Sequence, residues 1–546
     1  MSTDSHPPSF DYIIIGAGSA GCALAHRLSE DSTRSVALIE AGPWDRDKWL
    51  HIPIGIAYLL KEKRFNWFYH TEPEPGMHGR RIYWPRGKVM GGSSSINGMV
   101  YIRGQPQDFA RWEAEGATGW GWDTMLRLFK KCEDQARGED AYHGVGGPIR
   151  VEDRSNRHPL WDAFIASAQA AGFAFNPDFN GPSQEGVGYY QTTIRRGVRS
   201  SAATGYIKPI RARQNLHILT DTLALRLLLR QRQAEGVLCR QADRQRRLLA
   251  RRGVILAAGA INSPQLLMLS GIGPGAHLQS LGIPVVHDAP DVGRNLQDHL
   301  QLRLVYRLRQ PISFNEQARS WRGKARMLWD YAVHRDGPMA YPTAQTALFA
   351  RSCPEVATPD LQYHFSNYSI DSQSRLPDAF PGITYSVCYL RPQSRGELRL
   401  SSAEAGDAPL IRANYLSAAA DCAAAIRSIR LTRKLAQTSP MRDLIAAELA
   451  PGPGTCSDSE MLDFARVNGS SIYHPAGTCR MGRDALAVLD PQLRVRGIDQ
   501  LWVADASVMP SLVSGNTNAA VLAIGERGAE LILEHEKRMP SMHAGR

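Results

Sequence analysis

Asp11 to Glu40 reads DYIIIGAGSAGCALAHRLSEDSTRSVALIE, and the glycines inside it decide the fold. Tyr12 to Ile15 is an unbroken apolar run, as expected of a strand buried in a parallel sheet. The turn GAGSAG follows, and Cys22 to Leu28 then carry apolar residues at helical spacing. Val36 to Ile39 is a second apolar run, closed by Glu40. Strand, helix and strand in this order open a doubly wound sheet. Gly16, Gly18 and Gly21 form G-x-G-x-x-G. The first glycine permits the tight turn, the second lets the backbone approach a pyrophosphate, and the third lets helix and strand pack closely. The helix N-terminus offers free N–H groups and a positive dipole end to phosphates. An acidic residue about 20 positions on can accept from a ribose hydroxyl pair, and Glu40 holds that place. Its charge would repel a 2′-phosphate, which argues against NADP. FAD and NAD both stay open on this fingerprint.

The same style of strand returns twice. Val254 to Ala257 leads into AGAINSP and an apolar helix, Gln265 to Leu269. Leu501 to Ala504 leads into a long helical pattern from Asn518 to Leu533. The intervening segments mix short alternating runs with Pro, Ser and Arg, as in RGELRLSS from Arg395, and predict a largely antiparallel sheet. The expected class is therefore α/β, α+β overall. A discontinuous dinucleotide-binding domain would take residues 10–150, 196–300 and 466–535. A second domain would take 151–195 and 301–465, and 1–9 and 536–546 would be flexible tails.

The 546 residues are enough for two or more domains and a large core. A net charge of +11 suits anionic partners or a solvated basic surface, and no nucleic-acid signature accompanies it. The eight cysteines include no C-x-x-C pair, and no His or carboxylate cluster has metal spacing, so we expect reduced thiols and no metal. The N-terminus lacks the charged and apolar regions of a secretory signal, and no apolar run reaches bilayer-spanning length. A cytoplasmic location is the expectation.

Further motifs narrow the choice. Gly87 to Tyr101 reads GKVMGGSSSINGMVY, Gly259 to Gly273 reads GAINSPQLLMLSGIG, and Asp291 to His299 reads DVGRNLQDH. Tyr473 to Gly482 reads YHPAGTCRMG, and Gly515 to Val521 reads GNTNAAV. With these, nearly the whole chain resembles the glucose–methanol–choline (GMC) oxidoreductase family, in wording close to bacterial FAD-dependent alcohol and choline dehydrogenases. The resemblance implies a doubly wound FAD-binding domain covered by an antiparallel substrate-binding domain. It implies that Gly16, Gly18, Ser19 and Ala20 cradle the pyrophosphate, that Glu40 holds the adenosine ribose, and that Ala224 meets adenine through its backbone. Gly92, Asn97, Gly98, Met99 and Val100 would line the flavin ring and its pyrophosphate. Tyr473, Asp505, Ala506, Asn516 and Thr517 would bind at the flavin end. His474 would be the catalytic base, with Asn518 as its companion.

The implied chemistry removes a proton and a hydride from an alcohol. Histidine suits the proton at neutral pH, and the flavin takes the hydride. His299 is read as structural, and His51, His287 and His364 as surface or packing residues. Some relatives attach FAD through a histidine just before the asparagine of the first signature. That position is Ile96 here, so noncovalent FAD is expected. Choline-oxidising relatives use a glutamate where Gln345 aligns, and glutamine lacks the charge to balance a quaternary cation. A neutral primary alcohol, aliphatic or aromatic, is expected, with electrons passed to a quinone-type acceptor. An oxidase forming H2O2, a choline dehydrogenase and a flavin-containing lyase are the alternatives. Ser320 to Arg335, SWRGKARMLWDYAVHR, allows two readings: a lid helix over the pocket, or peripheral contact with the inner face of the cell membrane.

Overall fold

The computed structural model describes residues 7–153, 157–342, 344–371 and 376–538. Of the expected tails, 1–9 and 536–546, residues 1–6 and 539–546 lie outside the described residues, while Ser9 begins a strand and residues 536–538 continue the last helix. In chain order, the elements used below begin with β1 (Ser9–Ile15), α1 (Ser19–Leu28), β2 (Val36–Ile39) and α2 (Pro159–Ala170). They continue with β3 (Gly186–Tyr189), β4 (Leu216–Leu219), β5 (Thr222–Arg230), β6 (Gln233–Gln241), β7 (Arg244–Leu256) and α3 (Gly259–Leu269). Then come β8 (Leu300–Leu308), α4 (Trp321–His334), β9 (Thr346–Ala350), β10 (Leu361–Ser366), β11 (Gly382–Tyr389) and α5 (Ala419–Ala436). The last are β12 (Ile445–Ala450), β13 (Ser470–Ser471), β14 (Leu501–Val503) and α6 (Asn518–Arg538).

The first seven-stranded sheet runs β4-β2-β1-β7-β6-β5, with β14 also paired to β7. Pairings among β4, β2, β1, β7 and β14 are parallel, and β7-β6-β5 is an antiparallel meander. The apolar runs behave as their composition demands, since Ile13, Ile14, Val36, Ala37 and Leu38 have no exposed surface. Helix α6 lies on α1, and Glu526 clamps the contact from a fully buried position. Its carboxylate takes Arg27 Nε at 2.7 Å, Lys131 Nζ at 2.9 Å and the Tyr206 hydroxyl at 3.0 Å. A charge so deep is stable only when paired and hydrogen-bonded in this way.

The second seven-stranded sheet runs β12-β8-β11-β10-β9-β3, with β13 also on β8, and all its pairings are antiparallel. Strand alternation sorts its two faces. Leu302, Leu304, Tyr363, Phe365, Tyr385 and Val387 join the main core. Two expectations need correction. β13 lies at Ser470–Ser471, so the second sheet reaches into the span assigned to the dinucleotide-binding domain. RGELRLSS forms no strand of that sheet. Glu397–Arg399 pairs with Leu410–Arg412 in a separate hairpin, and Leu398 N–H donates to Gly293 O at 2.7 Å, on the DVGRNLQDH run.

Candidate active site

Between the two sheets lies a cavity of about 1960 Å³, lined by every residue that the sequence reading named for catalysis or cofactor binding. Ligand pockets typically measure roughly 300–1,000 Å³, so this one has room for a large cofactor and a substrate together.

At one end stands the glycine turn. A side chain at Gly21 would meet the Gly16 carbonyl at 1.8 Å, and one at Gly16 would meet the Ala257 carbonyl at 2.5 Å. Gly18 differs, because a Cβ there would have only Ala257 O within reach, at 3.8 Å, and would stand in the cavity. No side chain caps α1, so its first N–H groups at Ser19 and Ala20 stay free at the cavity wall. A cradle of bare backbone at a helix N-terminus fits a pyrophosphate. Glu40 ends β2, where its carboxylate takes the N–H of Ala17 at 3.0 Å and of Gly42 at 2.9 Å. Burial pushes its pKa up to about 7.

Gly92, Asn97, Gly98, Met99 and Val100 form a second wall. Asn97 is fixed by a residue the sequence reading did not single out. Arg199, fully buried, donates from Nη1 to both the Asn97 carbonyl and Asn97 Oδ1 at 2.7 Å, and from Nε to Leu50 O at 3.0 Å. Asp505 faces the cavity, and its carboxylate receives Gly259 N–H at 2.8 Å, Ser263 Oγ at 2.5 Å and Ser507 N–H at 2.8 Å. It therefore ties the start of α3 to the end of β14.

His474 lies on the loop after β13. Its backbone N–H donates to Asp298 Oδ1 at 2.8 Å, and Asp298 is also held by Ser471 and Tyr415. His299 Nε2 is 3.0 Å from the Leu390 carbonyl, so it must carry the proton there. Its Nδ1 is then an acceptor and lies 3.0 Å from His474 Nδ1, which must donate. His474 Nε2 is left as a lone pair, the form a base requires. Burial and the neighbouring His299, His364 and Arg86 hold the His474 pKa well below the usual imidazole range. His299 thus positions His474, which the sequence reading did not foresee.

The companion of His474 also needs correction. Asn516 Nδ2 lies 3.2 Å from His474 Nε2, and Gln362 Nε2 donates to Asn516 Oδ1 at 3.0 Å, which aims the amide. Asn518, the first residue of α6, instead accepts from Ser19 Oγ at 2.7 Å and ties the starts of α6 and α1 together. His364, expected as a surface or packing residue, packs against Tyr190 and also faces the site. It is 6% exposed in the cavity wall. Gln345 lines the same wall. Helix α4 edges the cavity with Arg322, Lys324 and Arg326, buries Met327 and Tyr331, and leaves Trp321 and Trp329 74% and 63% exposed.

A dinucleotide cleft that ends at a buried imidazole–carboxamide pair defines a class of α/β flavin-type oxidoreductase. Residues 10–301 match the N-terminal and 392–525 the C-terminal part of the GMC oxidoreductases, and the chain belongs to that family, whose members are FAD flavoproteins. It is 43% identical over 531 residues to the alcohol dehydrogenase (acceptor) of Pseudomonas putida, covering 96% of each chain. It is 43% identical over 526 residues to the oxygen-dependent choline dehydrogenase of Rhizobium johnstonii, covering 96% of this chain and 95% of the relative. The crystal structure of pyridoxine 4-oxidase from Mesorbium loti superposes with a TM-score of 0.88 at 34% identity, covering 96% of this chain and 99% of that one. Among the described residues, no helix is long and apolar enough to cross a membrane.

Proposed function

We propose that this enzyme oxidises a non-cationic primary alcohol, aliphatic or aromatic, to the aldehyde and passes the electrons to a quinone-type acceptor. The His474–Asn516 pair in the wall of the cofactor cavity carries this reading. FAD, when bound, would supply the hydride acceptor. Gly16, Gly18, Ser19 and Ala20 would hold its pyrophosphate, Glu40 its ribose and Ala224 its adenine. Gly92, Asn97, Gly98, Met99, Val100, Tyr473, Asp505, Ala506, Asn516 and Thr517 would hold the flavin end. Ile96 offers no nucleophile, which supports noncovalent attachment. An alcohol hydroxyl that displaces the Asn516 N–H from His474 Nε2 meets the freed lone pair and keeps the Asn516 amide as a donor to its oxygen. His474 takes the proton, and Asn516 steadies the oxygen.

Gln345 supplies no charge for a quaternary ammonium group, which weighs against choline. The test is anaerobic. 1-Octanol and benzyl alcohol should bleach the flavin band and choline should not. If no alcohol bleaches a flavin that is plainly present, the oxidation reading fails and a lyase reading leads. Peroxide formed in air would replace the quinone-type acceptor with O2. Asn516→Ala should slow flavin reduction about 100-fold, as loss of one donor to the reacting oxygen does. Asn518→Ala should lower FAD retention instead, and the two effects separate in stopped-flow rate and in flavin-to-protein ratio.

The exposed Trp321 and Trp329 beside Arg322 and Arg326 support peripheral contact with an anionic membrane, where a quinone pool lies. Co-sedimentation with anionic liposomes at low salt checks this, and a protein left wholly in the supernatant would refute it.

A further inference from the structure

The second sheet turns an apolar face to the core, yet its cavity face is polar. Register puts Gln301, Arg303 and Val305 of β8 opposite Cys388, Ser386 and Thr384 of β11. Ser386 and Thr384 lie in turn opposite His364 and Ser366 of β10. Gln301, Arg303, His364, Ser366, Thr384 and Ser386 all line the cavity. An apolar alcohol would gain little from such a surface, because burial against polar groups leaves them without water and without partners.

The partners these groups lack identify what they suit. The Gln345 amide nitrogen is buried with no hydrogen-bond partner, and the ring nitrogens of His364, 6% exposed, have only the Asn516 side chain to interact with. Arg303 is exposed at the cavity mouth; among the described residues its one side-chain hydrogen bond runs from Nε to Gln301 Oε1 at 3.1 Å, and no carboxylate pairs with it. A guanidinium keeps its charge at any working pH and prefers a two-pronged carboxylate. Asp298, the carboxylate bonded to the His474 backbone, is fully used by His474, Ser471 and Tyr415. Arg303 of β8 follows His299, the residue just before that strand, by four positions. At ~3.3 Å per residue their Cα atoms are about 13 Å apart. One end of the polar strip therefore adjoins His474, and the other carries an unpaired cation.

We infer that the preferred substrate is an alcohol bearing a carboxylate several atoms from its carbinol carbon, with Arg303 binding the carboxylate and Gln301, Gln345 and His364 offering polar contacts between. This rests on the alcohol-oxidation reading. Neutral alcohols of the same length are then the poorer substrates, and a cationic alcohol meets a like charge. Arg303 is a specificity residue and takes no part in proton or hydride transfer.

The test uses the holoenzyme and anaerobic flavin reduction. The substrates are 6-hydroxyhexanoate, 8-hydroxyoctanoate and 4-(hydroxymethyl)benzoate, each against 1-hexanol, 1-octanol or benzyl alcohol. At least one acid should exceed its neutral counterpart about tenfold or more in kcat/KM, mainly through KM. In Arg303→Gln that ratio should fall to about one, and Arg303→Lys should recover part of it. A ratio near one in the wild type, or one that Arg303→Gln leaves intact, overturns the inference. Calorimetric titration with adipate gives a second readout that needs no turnover. Binding that Arg303→Gln weakens about tenfold supports the carboxylate site even if no alcohol reduces the flavin, in which case only the oxidation reading falls. Absence of adipate binding together with absence of turnover overturns both.

Discussion

Replacing His474 with alanine or glutamine should slow alcohol-dependent flavin reduction by about 10²–10⁴-fold, the usual worth of a positioned general base. FAD should stay bound, because the backbone N–H of His474 keeps its bond to Asp298 whatever the side chain. The same geometry fixes the pH dependence. The imidazole acts only when neutral, and burial among His299, His364 and Arg86 lowers its pKa from the ordinary 6.5. The neutral form therefore persists as pH falls through 6.5, and the wild-type reduction rate should stay level across that value and decline only well below it. Stopped-flow rates over a pH series give the answer. A midpoint at 6.5 would mean that a solvent-exposed histidine, and not His474, limits the reaction.

A pair of glycine variants should separate loss of the cofactor from loss of the fold. In Gly18→Ala the new methyl has only one protein atom near it, at 3.8 Å, and the backbone φ of −76° suits alanine. The chain should fold and melt as before. The methyl stands where the pyrophosphate would approach, so FAD affinity should fall. Crowding of this kind costs about 1–3 kcal/mol, or roughly 5- to 150-fold in affinity. In Gly21→Ala the methyl meets the Gly16 carbonyl at 1.8 Å, and α1 must move away from β1. That variant should lose melting temperature as well as colour. Flavin content and thermal unfolding of both proteins decide the matter, and equal behaviour of the two would contradict the separate roles given to these glycines.

The α/β part of the fold was legible because its strands are buried on both faces. YIII and VALI admit few other readings, and the glycine spacing states how the next helix must pack. Sheet membership was harder. RGELRLSS alternates as a sheet strand would, but alternation reports one exposed face and says nothing of the partner, and here the partner is a short hairpin. The site residues divide in the same way. Motifs brought the cofactor residues to one cavity, but GNTN holds two asparagines two positions apart. Which one faces His474 depends on where α6 starts, and it starts at Asn518, leaving Asn516 on the preceding loop to turn inward. His364 and Arg303 gave no local signal. A strand shows which residues share a face, and only tertiary packing decides whether that face meets the core or a cavity.

The cleft draws its walls from Gly16, Gly18 and Ser19 near the beginning, Ala257 to Asn262 in the middle and Asn516 to Asn518 late in the chain. During synthesis these arrive in that order, and the last of them follows nearly everything else. A nascent chain carries the phosphate-binding turn early but has neither β14 beside β7 nor Asn518 to bond Ser19 until the final stretch emerges. Loading with FAD consequently waits until Asn518 has emerged. A cell short of riboflavin would accumulate full-length, colourless enzyme rather than arrested fragments.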